Sequence, residues 1–173
     1  MTGLRITGGS ARGRVIPSPR SAQVRPTSSR VREALFSVVG QRLEGARVLD
    51  AFGGTGLLGF EAWSRGAGVV ICERDPRTAA VIRTTAADLG ADVEVLTGDV
   101  LRLVSGLGQV DGVLADPPYD ALRPEWVSEL AVVAAGWMVV EARSTTDLPA
   151  FAAGMSRDRV RTFGETSLHV YRR

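Results

Sequence analysis

The pattern of apolar and polar positions changes character along the chain. Near the start, Leu4-Arg5-Ile6-Thr7 and Arg14-Val15-Ile16 flank Gly8-Gly9-Ser10-Ala11-Arg12-Gly13, which predicts a β-hairpin or a pair of short strands. A loop with Pro17, Pro19 and Pro26 follows. Val31, Ala34, Leu35, Val38 and Val39 then recur at i, i+3, i+4, i+7 and i+8, the period of a helix over roughly 28–42. Thr27 or Ser28 can cap it, and Arg30 and Arg32 fall off its apolar face, beside the hairpin.

From residue 46 onward, strand and helix patterns alternate. Val48-Leu49-Asp50-Ala51 reads as a strand, followed by a glycine turn and a helix near 57–65. Gly68 to Glu73 is a continuous apolar run, suited to a parallel strand covered on both faces. Asp75-Pro76 opens a helix that runs to Leu89 and ends at Gly90. Further strands are predicted at 93–96, 110–116 and 137–141, with helices near 99–105 and 124–135. Residues 160–164 and 167–171 read as an antiparallel pair around a glycine-containing turn. Such alternation implies an α/β, Rossmann-like, doubly wound and mostly parallel sheet. Ligands bind such sheets at the carboxyl ends of the strands, where the strand order switches. Asp50, Glu73, Asp99 and Asp116 each end or follow a predicted strand.

Composition adds one asymmetry. The chain has 173 residues, 45% apolar and 23% charged, which suits one globular domain able to bury a core. Residues 1–32 carry seven arginines and no acid; residues 33–173 carry the other 14 arginines against 19 acids. A basic arm, taken as 1–26, therefore precedes an acidic body, 27–173. Arg5, Arg12, Arg14 and Arg25 of the arm, with Arg30 just beyond it, are the foremost candidates for phosphate contacts. The one cysteine, Cys72, excludes an internal disulfide and a cysteine-cluster metal site, so no metal is expected. No long apolar run suggests a membrane span, and the first residues lack the apolar core of a signal peptide. A cytoplasmic, monomeric protein is the expectation. His169 has no acid or cysteine at ligand spacing, and Cys72, Trp63, Trp126 and Trp137 read as packing residues.

The chemistry concentrates in two loops. Asp50-Ala51-Phe52-Gly53-Gly54-Thr55-Gly56-Leu57-Leu58-Gly59 joins the first body strand to its helix, and its glycines let a ligand approach the backbone closely. Gly54-x-Gly56-x-x-Gly59 with Glu73 nineteen residues on fits either a nicotinamide dinucleotide or an adenosyl cofactor. Glu73 can accept from ribose hydroxyls in both. Asp50 separates them: it would face a pyrophosphate unfavourably but suits the ammonium of a methionine moiety. Asp99 can accept from an adenine amine, cap the following helix, or do both.

Asp116-Pro117-Pro118-Tyr119 is the second loop. Two prolines fix φ and remove two amide donors, leaving a stiff turn of acceptors followed by an aromatic ring. The Asp116 carboxylate and the Pro117 carbonyl can hold both hydrogens of an exocyclic base amine and aim its lone pair. Asp116 can then take the proton, and Tyr119 can stack on the base.

Together these residues resemble the class I methyltransferases that act on nucleic-acid amino groups. Over nearly its full length the chain is similar to the bacterial RsmD-type enzymes. The likeness runs through Arg5-Ile6-Thr7-Gly8-Gly9, Arg12-Gly13-Arg14, Arg25-Pro26-Thr27, Arg32 to Phe36, Gly56 to Ala62 and Ser64 to Ala67. The resemblance implies a seven-stranded sheet with the last strands antiparallel and an N-terminal hairpin used on RNA. It implies S-adenosylmethionine as cofactor and the N2 of a guanine in small-subunit (16S) ribosomal RNA as acceptor; because so small a chain has no other obvious recognition module, an assembled, protein-bound RNA surface is the expected substrate. DNA amino methylation is the nearest alternative, and an NAD-binding oxidoreductase or a non-catalytic RNA-binding module are more distant ones. Carried over by position, Asp50, Phe52, Gly53, Gly54, Thr55, Gly56, Glu73, Asp99, Val100 and Asp116 would surround the cofactor. Asp116, Pro117, Pro118 and Tyr119 would hold the target base. Gly53 stands where the family often has alanine, which should loosen the turn slightly.

Overall fold

The computed structural model describes residues 3–17 and 28–173, so Arg25 and the candidate cap Thr27 lie outside the described residues. The hairpin forms as β1 (Leu4–Arg5) antiparallel to β2 (Val15–Ile16). Helix α1 (Ser29–Val39) starts at Ser28, whose hydroxyl accepts from the Val31 amide at 3.3 Å. It ends at Gly40, with φ 129°, earlier than residue 42, because the glycine turns the chain while its amide still donates to the Phe36 carbonyl.

Strand β3 (Arg47–Asp50), helix α2 (Leu57–Ser64), β4 (Gly68–Glu73), α3 (Pro76–Leu89) and β5 (Val93–Thr97) follow in alternation. Helix α3 has the expected ends: Asp75 accepts from the Thr78 amide at 2.7 Å, and Gly90 adopts φ 67°. A short α4 (Val100–Leu103) leads into a 3-10 turn and then β6 (Val110–Ala115). Helix α5 (Pro124–Ala131) is shorter than expected and β7 (Ala134–Arg143) longer at both ends. Ala134 is already paired with Val110, and β7 is laddered on both sides, so hydrogen bonding in the sheet outweighs the helical preference of this alanine-rich stretch.

The chain closes with β8 (Phe151–Ala152), β9 (Met155–Phe163) and β10 (Thr166–Arg172). The order across the sheet is β5-β4-β3-β6-β7-β10-β9-β8. Strands β3 to β7 are parallel, and β10 runs antiparallel between β7 and β9. This is the expected doubly wound seven-stranded arrangement, with β8 as an additional two-residue edge strand. The chain winds outward from β3 to β5, then crosses to β6 on the other side of β3, which sets the switch point between β3 and β6.

One core layer lies on each face. The first joins the hairpin (Ile6, Ala11, Ile16) to α1 (Leu35, Phe36), α2 (Phe60) and sheet residues Leu168 and Val170. The second gathers Leu49, Val113, Met138, Tyr171 and α5 residues Val127 and Leu130. The described part of the arm is thus packed on the body. The Ser10 amide donates to the Ser64 carbonyl at 2.7 Å, and Ser64 Oγ donates to the Gly8 carbonyl and accepts from the Ala11 amide.

Arg32 departs from expectation. It is off the apolar face of α1, yet only 3% exposed. Its Nε donates to Glu61 Oε1 at 3.2 Å, and Nη2 donates to the Arg5 carbonyl at 2.9 Å. Glu61, at 0% exposure on α2, also accepts from the Thr7 amide, the Thr7 hydroxyl and Arg65. Burying these charges is tolerable because the carboxylate is multiply paired. The Arg65 guanidinium in turn lies 4.0 Å from the centre of the Phe36 ring. His169 is buried, with Nε2 3.0 Å from Ser167 Oγ, and Cys72 is buried in β4 as expected.

Candidate active site

Strand order converts four sequence-distant acids into a row. The carboxyl ends of neighbouring strands β5, β4, β3 and β6 carry or precede Asp99, Glu73, Asp50 and Asp116 in that order along one edge. Asp50 and Asp116 flank the switch point.

Asp50 closes β3 and is 1% exposed. Its Oδ2 accepts from the Gly59 amide at 2.9 Å, while Oδ1 is buried without a partner among the described residues. Burial pushes its carboxyl up to about 7, and the charges of Asp116 and Glu73 add to that against the opposing Gly59 and Phe52 amides.

The glycine turn is shaped by contacts behind it. Gly56 has φ 77°, a left-handed conformation that starts α2 without a side-chain cap. A Cβ at Gly59 would stand 2.6 Å from Ile71 Cδ1 and 3.2 Å from Asp50 Oδ2, so only glycine lets α2 seat this closely on β4 and donate to Asp50. At Gly53 a Cβ would come within 2.8 Å of Ile71 Cγ2 and 3.1 Å of Ile82 Cδ1. The glycine therefore fits a tight turn backed by two isoleucines; it does not loosen it. Gly54 differs: a Cβ there would meet nothing nearer than 3.9 Å, so its open side is available to a ligand.

Glu73 holds the turn from β4. Its Oε2 accepts from the Gly54 amide at 2.7 Å and its Oε1 from the Asp75 amide at 2.8 Å. Each oxygen retains a second acceptor site. Asp99 caps α4, accepting from the Leu101 amide at 3.1 Å, and Val100 beside it is buried. Phe52 stacks on Trp126 of α5, ring centres 5.7 Å apart and 19° from parallel. Trp126 thus packs, as expected, but against the glycine turn itself.

Past β6, Asp116 is half-buried, Pro117 buried and Pro118 exposed. Tyr119 is anchored from the antiparallel end of the sheet. Its hydroxyl donates to Glu141 Oε1 at 3.1 Å and lies 2.8 Å from Thr166 Oγ1. Burial raises the phenol above its ordinary range, and Glu141 adds to the rise. The Arg143 guanidinium stands 5.3 Å from the Tyr119 ring centre and donates to Asp120 at 3.0 Å. Sequence reasoning missed Glu141, Arg143 and Thr166 at this loop. Glu141 carried a usable signal, as an acid ending a predicted strand; Thr166 and Arg143 carried none.

The candidate arginines lie apart from this edge in their bonding. Arg5 Nη1 donates to the Gly13 carbonyl and Arg14 Nη2 to the Asp88 carbonyl, while Arg12 and Arg30 are exposed. Among the described residues no cluster of His, Cys, Asp and Glu could hold a metal, and no helix is long and apolar enough to cross a membrane.

Comparison with known proteins gives concordant results. The family model described as Conserved hypothetical protein 95 matches residues 4–172. The chain is 32% identical over 180 residues to ribosomal RNA small subunit methyltransferase D of Escherichia coli K12, covering 98% of this chain and 90% of that one. It is 26% identical to the putative rRNA methyltransferase YlbH of Bacillus subtilis, covering 98% and 99%. A solved structure of the putative methyltransferase yhhF from Escherichia coli superposes with a TM-score of 0.85 at 32% identity, covering 98% and 97%. A carboxylate-lined switch point, a hairpin packed on α2 and these matches along the whole length have one reading: the chain belongs to the Conserved hypothetical protein 95 family, the RsmD-like methyltransferases.

Proposed function

We propose that this protein uses S-adenosylmethionine to methylate the exocyclic N2 of a guanine in small-subunit ribosomal RNA, presented on an assembled particle in the cytoplasm. The observation that carries this reading is Asp50 Oδ1, buried and without a partner among the described residues, at the end of the strand that leads into the glycine turn. It lies in a row of acids that ends at the Asp-Pro-Pro-Tyr loop. A buried acceptor without a donor calls for a ligand cation, and the methionine ammonium is one. Along the row, Asp50 holds the ammonium, Glu73 the ribose hydroxyls and Asp99 the adenine. Phe52, Gly53, Gly54, Thr55, Gly56 and Val100 shape the walls.

Bound S-adenosylmethionine supplies a sulfonium methyl already activated for transfer. The chain's own residues do the rest. The Asp116 carboxylate and Pro117 carbonyl accept the two amine hydrogens and turn the nitrogen lone pair out of conjugation. Pro118 keeps the turn rigid. Tyr119, tethered through its hydroxyl to Glu141 and Thr166, presents a fixed ring for stacking, with Arg143 near one face. As positive charge grows on nitrogen, Asp116 stabilises it and accepts the proton. The base must leave its stack to reach this loop. Arg5, Arg12, Arg14, Arg25 and Arg30 contact phosphates, which position the substrate without reading its sequence.

The test is methyl transfer from labelled cofactor to small ribosomal subunits, protein-free small-subunit RNA and duplex DNA, with the product nucleoside identified. N2-methylguanosine from subunits, formed faster than from free RNA, is expected. N6-methyladenine or N4-methylcytosine in DNA alone would overturn the acceptor. Asp116→Ala should lose about 10²–10⁴-fold in transfer, the range for a general base, while still binding S-adenosylhomocysteine.

A further inference from the structure

The division into a basic arm and an acidic body conceals a second basic element. Residues 33–154 carry nine arginines against 17 acids, whereas residues 155–173 carry five arginines against two. Three of those five are held by the body. Arg157 donates to the Leu148 carbonyl, Arg172 to the Val38 carbonyl, and Arg173 to the Ala131 and Ala134 carbonyls. Arg159 and Arg161 on β9 are different: both are exposed, and Arg159 Nε donates to its exposed neighbour Asp158 at 2.7 Å.

Register fixes which way these two point. Arg159 pairs with Val170 and Arg161 with Leu168. Directly opposed residues of an antiparallel pair share a face. Leu168 and Val170 are buried in the core layer that also holds α1 and the hairpin residues Ile6 and Ile16. Arg159 and Arg161 therefore stand on the same face of the sheet as the hairpin. The irregularity between Val170 and Tyr171 rotates Arg157 out of this set.

Position along the strand gives direction. Strand β9 ends at Phe163, and Gly164 and Glu165 turn it into Thr166, whose hydroxyl touches Tyr119. At about 3.4 Å per residue, Arg161 and Arg159 sit roughly 7 and 14 Å back from the strand's end at Phe163, beside the candidate base-holding loop. Among the described residues the outer edge of β9 is also open beyond Arg157, whose amide donates to the Ala150 carbonyl next to the short β8 pairing at Met155 and Ser156. Open edge amides can add donors to the two guanidinium groups.

We propose that Arg159 and Arg161 form a second RNA-contacting strip, which grips the phosphates of the strand entering the Tyr119 loop. Together with the hairpin it brackets α1, so the substrate is held on both sides of the reacting base. This rests on the reading of the protein as an RNA methyltransferase. The competing role for charged side chains on an open edge strand is to prevent pairing with another chain.

The experiment measures affinity for purified small ribosomal subunits across a salt series. It compares wild type, Arg159→Glu/Arg161→Glu, the neutral Arg159→Gln/Arg161→Gln and the hairpin control Arg12→Glu/Arg14→Glu. S-adenosylhomocysteine binding and light scattering are followed on each. The strip predicts about fivefold or more weaker subunit binding for both β9 pairs, with a log–log salt slope shallower by about 1.4 for two lost phosphate contacts. Cofactor binding and monodispersity should be unchanged. Unchanged affinity in the β9 pairs with a weakened hairpin control overturns the strip and leaves the RNA reading standing. No change in any variant overturns both. If the glutamate pair aggregates, the soluble glutamine pair decides by the same criteria.

Discussion

Two carboxylates that touch α2 are both withdrawn from water, Asp50 at 1% and Glu61 at 0% exposure, yet they are built in opposite ways. Glu61 accepts from Thr7, Arg32 and Arg65, so three segments of chain meet at one ion and its charge is compensated. Asp50 has acids as its charged neighbours, and one of its oxygens meets no donor among the described residues. A buried charge with a full set of partners holds a structure together; one left short of donors weakens the free protein and awaits a ligand. The same residue class, on either side of one eight-residue helix, therefore separates the scaffold of the hairpin from the candidate site at the carboxyl edge of the sheet.

The contrast can be broken by mutation. Its largest expected effect is Glu61→Ala, which leaves Arg32 and Arg65 buried without their partner. Loss of about 3–5 kcal/mol is expected in chemical denaturation. A change below about 1 kcal/mol would show that the ion cluster is not what seats the hairpin.

Next is Asp50→Ala, expected to weaken S-adenosylhomocysteine by about 30–150-fold, or 2–3 kcal/mol, through loss of the ammonium contact. Calorimetric titration measures this, and an unchanged affinity would remove Asp50 from the pocket. The isosteric Asp50→Asn should move stability the other way from Glu61→Ala. Because the folded carboxyl sits near 7, above its ordinary 3.8, the ligand-free native state binds the extra proton between those values. Its stability falls as pH rises from about 4 to 7 and stays lower above. The amide of Asp50→Asn has no such proton to lose, so the variant should melt higher than wild type at about pH 8 and alike at about pH 4.

The same titration shapes binding. An ammonium requires ionised Asp50, so affinity for S-adenosylhomocysteine should drop about tenfold from pH 8 to pH 6. Asp50→Asn should flatten that profile; a profile unaltered by the substitution would assign the proton elsewhere. The smallest effect belongs to Ser64→Ala, which removes the bonds to Gly8 and Ala11 at the edge of the Glu61 cluster. It should cost about 1 kcal/mol and leave cofactor affinity alone.

Much of this was legible in order and spacing. The turn from Asp50 to Gly59, the cap at Asp75 and the Asp-Pro-Pro-Tyr loop are local devices, written in consecutive residues whose backbone demands are fixed by their own chemistry. Apolar periodicity places the helices and strands because burial on one or two faces leaves a period. Local reading fails where a distant partner decides. Helix α5 yields to β7 because Val110 pairs with Ala134, and Arg32 is buried because Glu61, 29 residues on, can hold it. Glu61 itself reads as one residue of a helical motif, and nothing near it in sequence announces a buried ion.

By itself, then, the sequence determined the α/β class, the alternation of strands and helices, the acids at strand ends and the stiff acceptor loop, since each depends on residues within a turn or two of one another. The tertiary structure alone decided that four acids form one row, that Tyr119 is tethered to Glu141 and Thr166, and that Arg159 and Arg161 share a face with the hairpin. Those facts depend on strand order and register, set by which distant surfaces bury one another, and no local pattern encodes that choice.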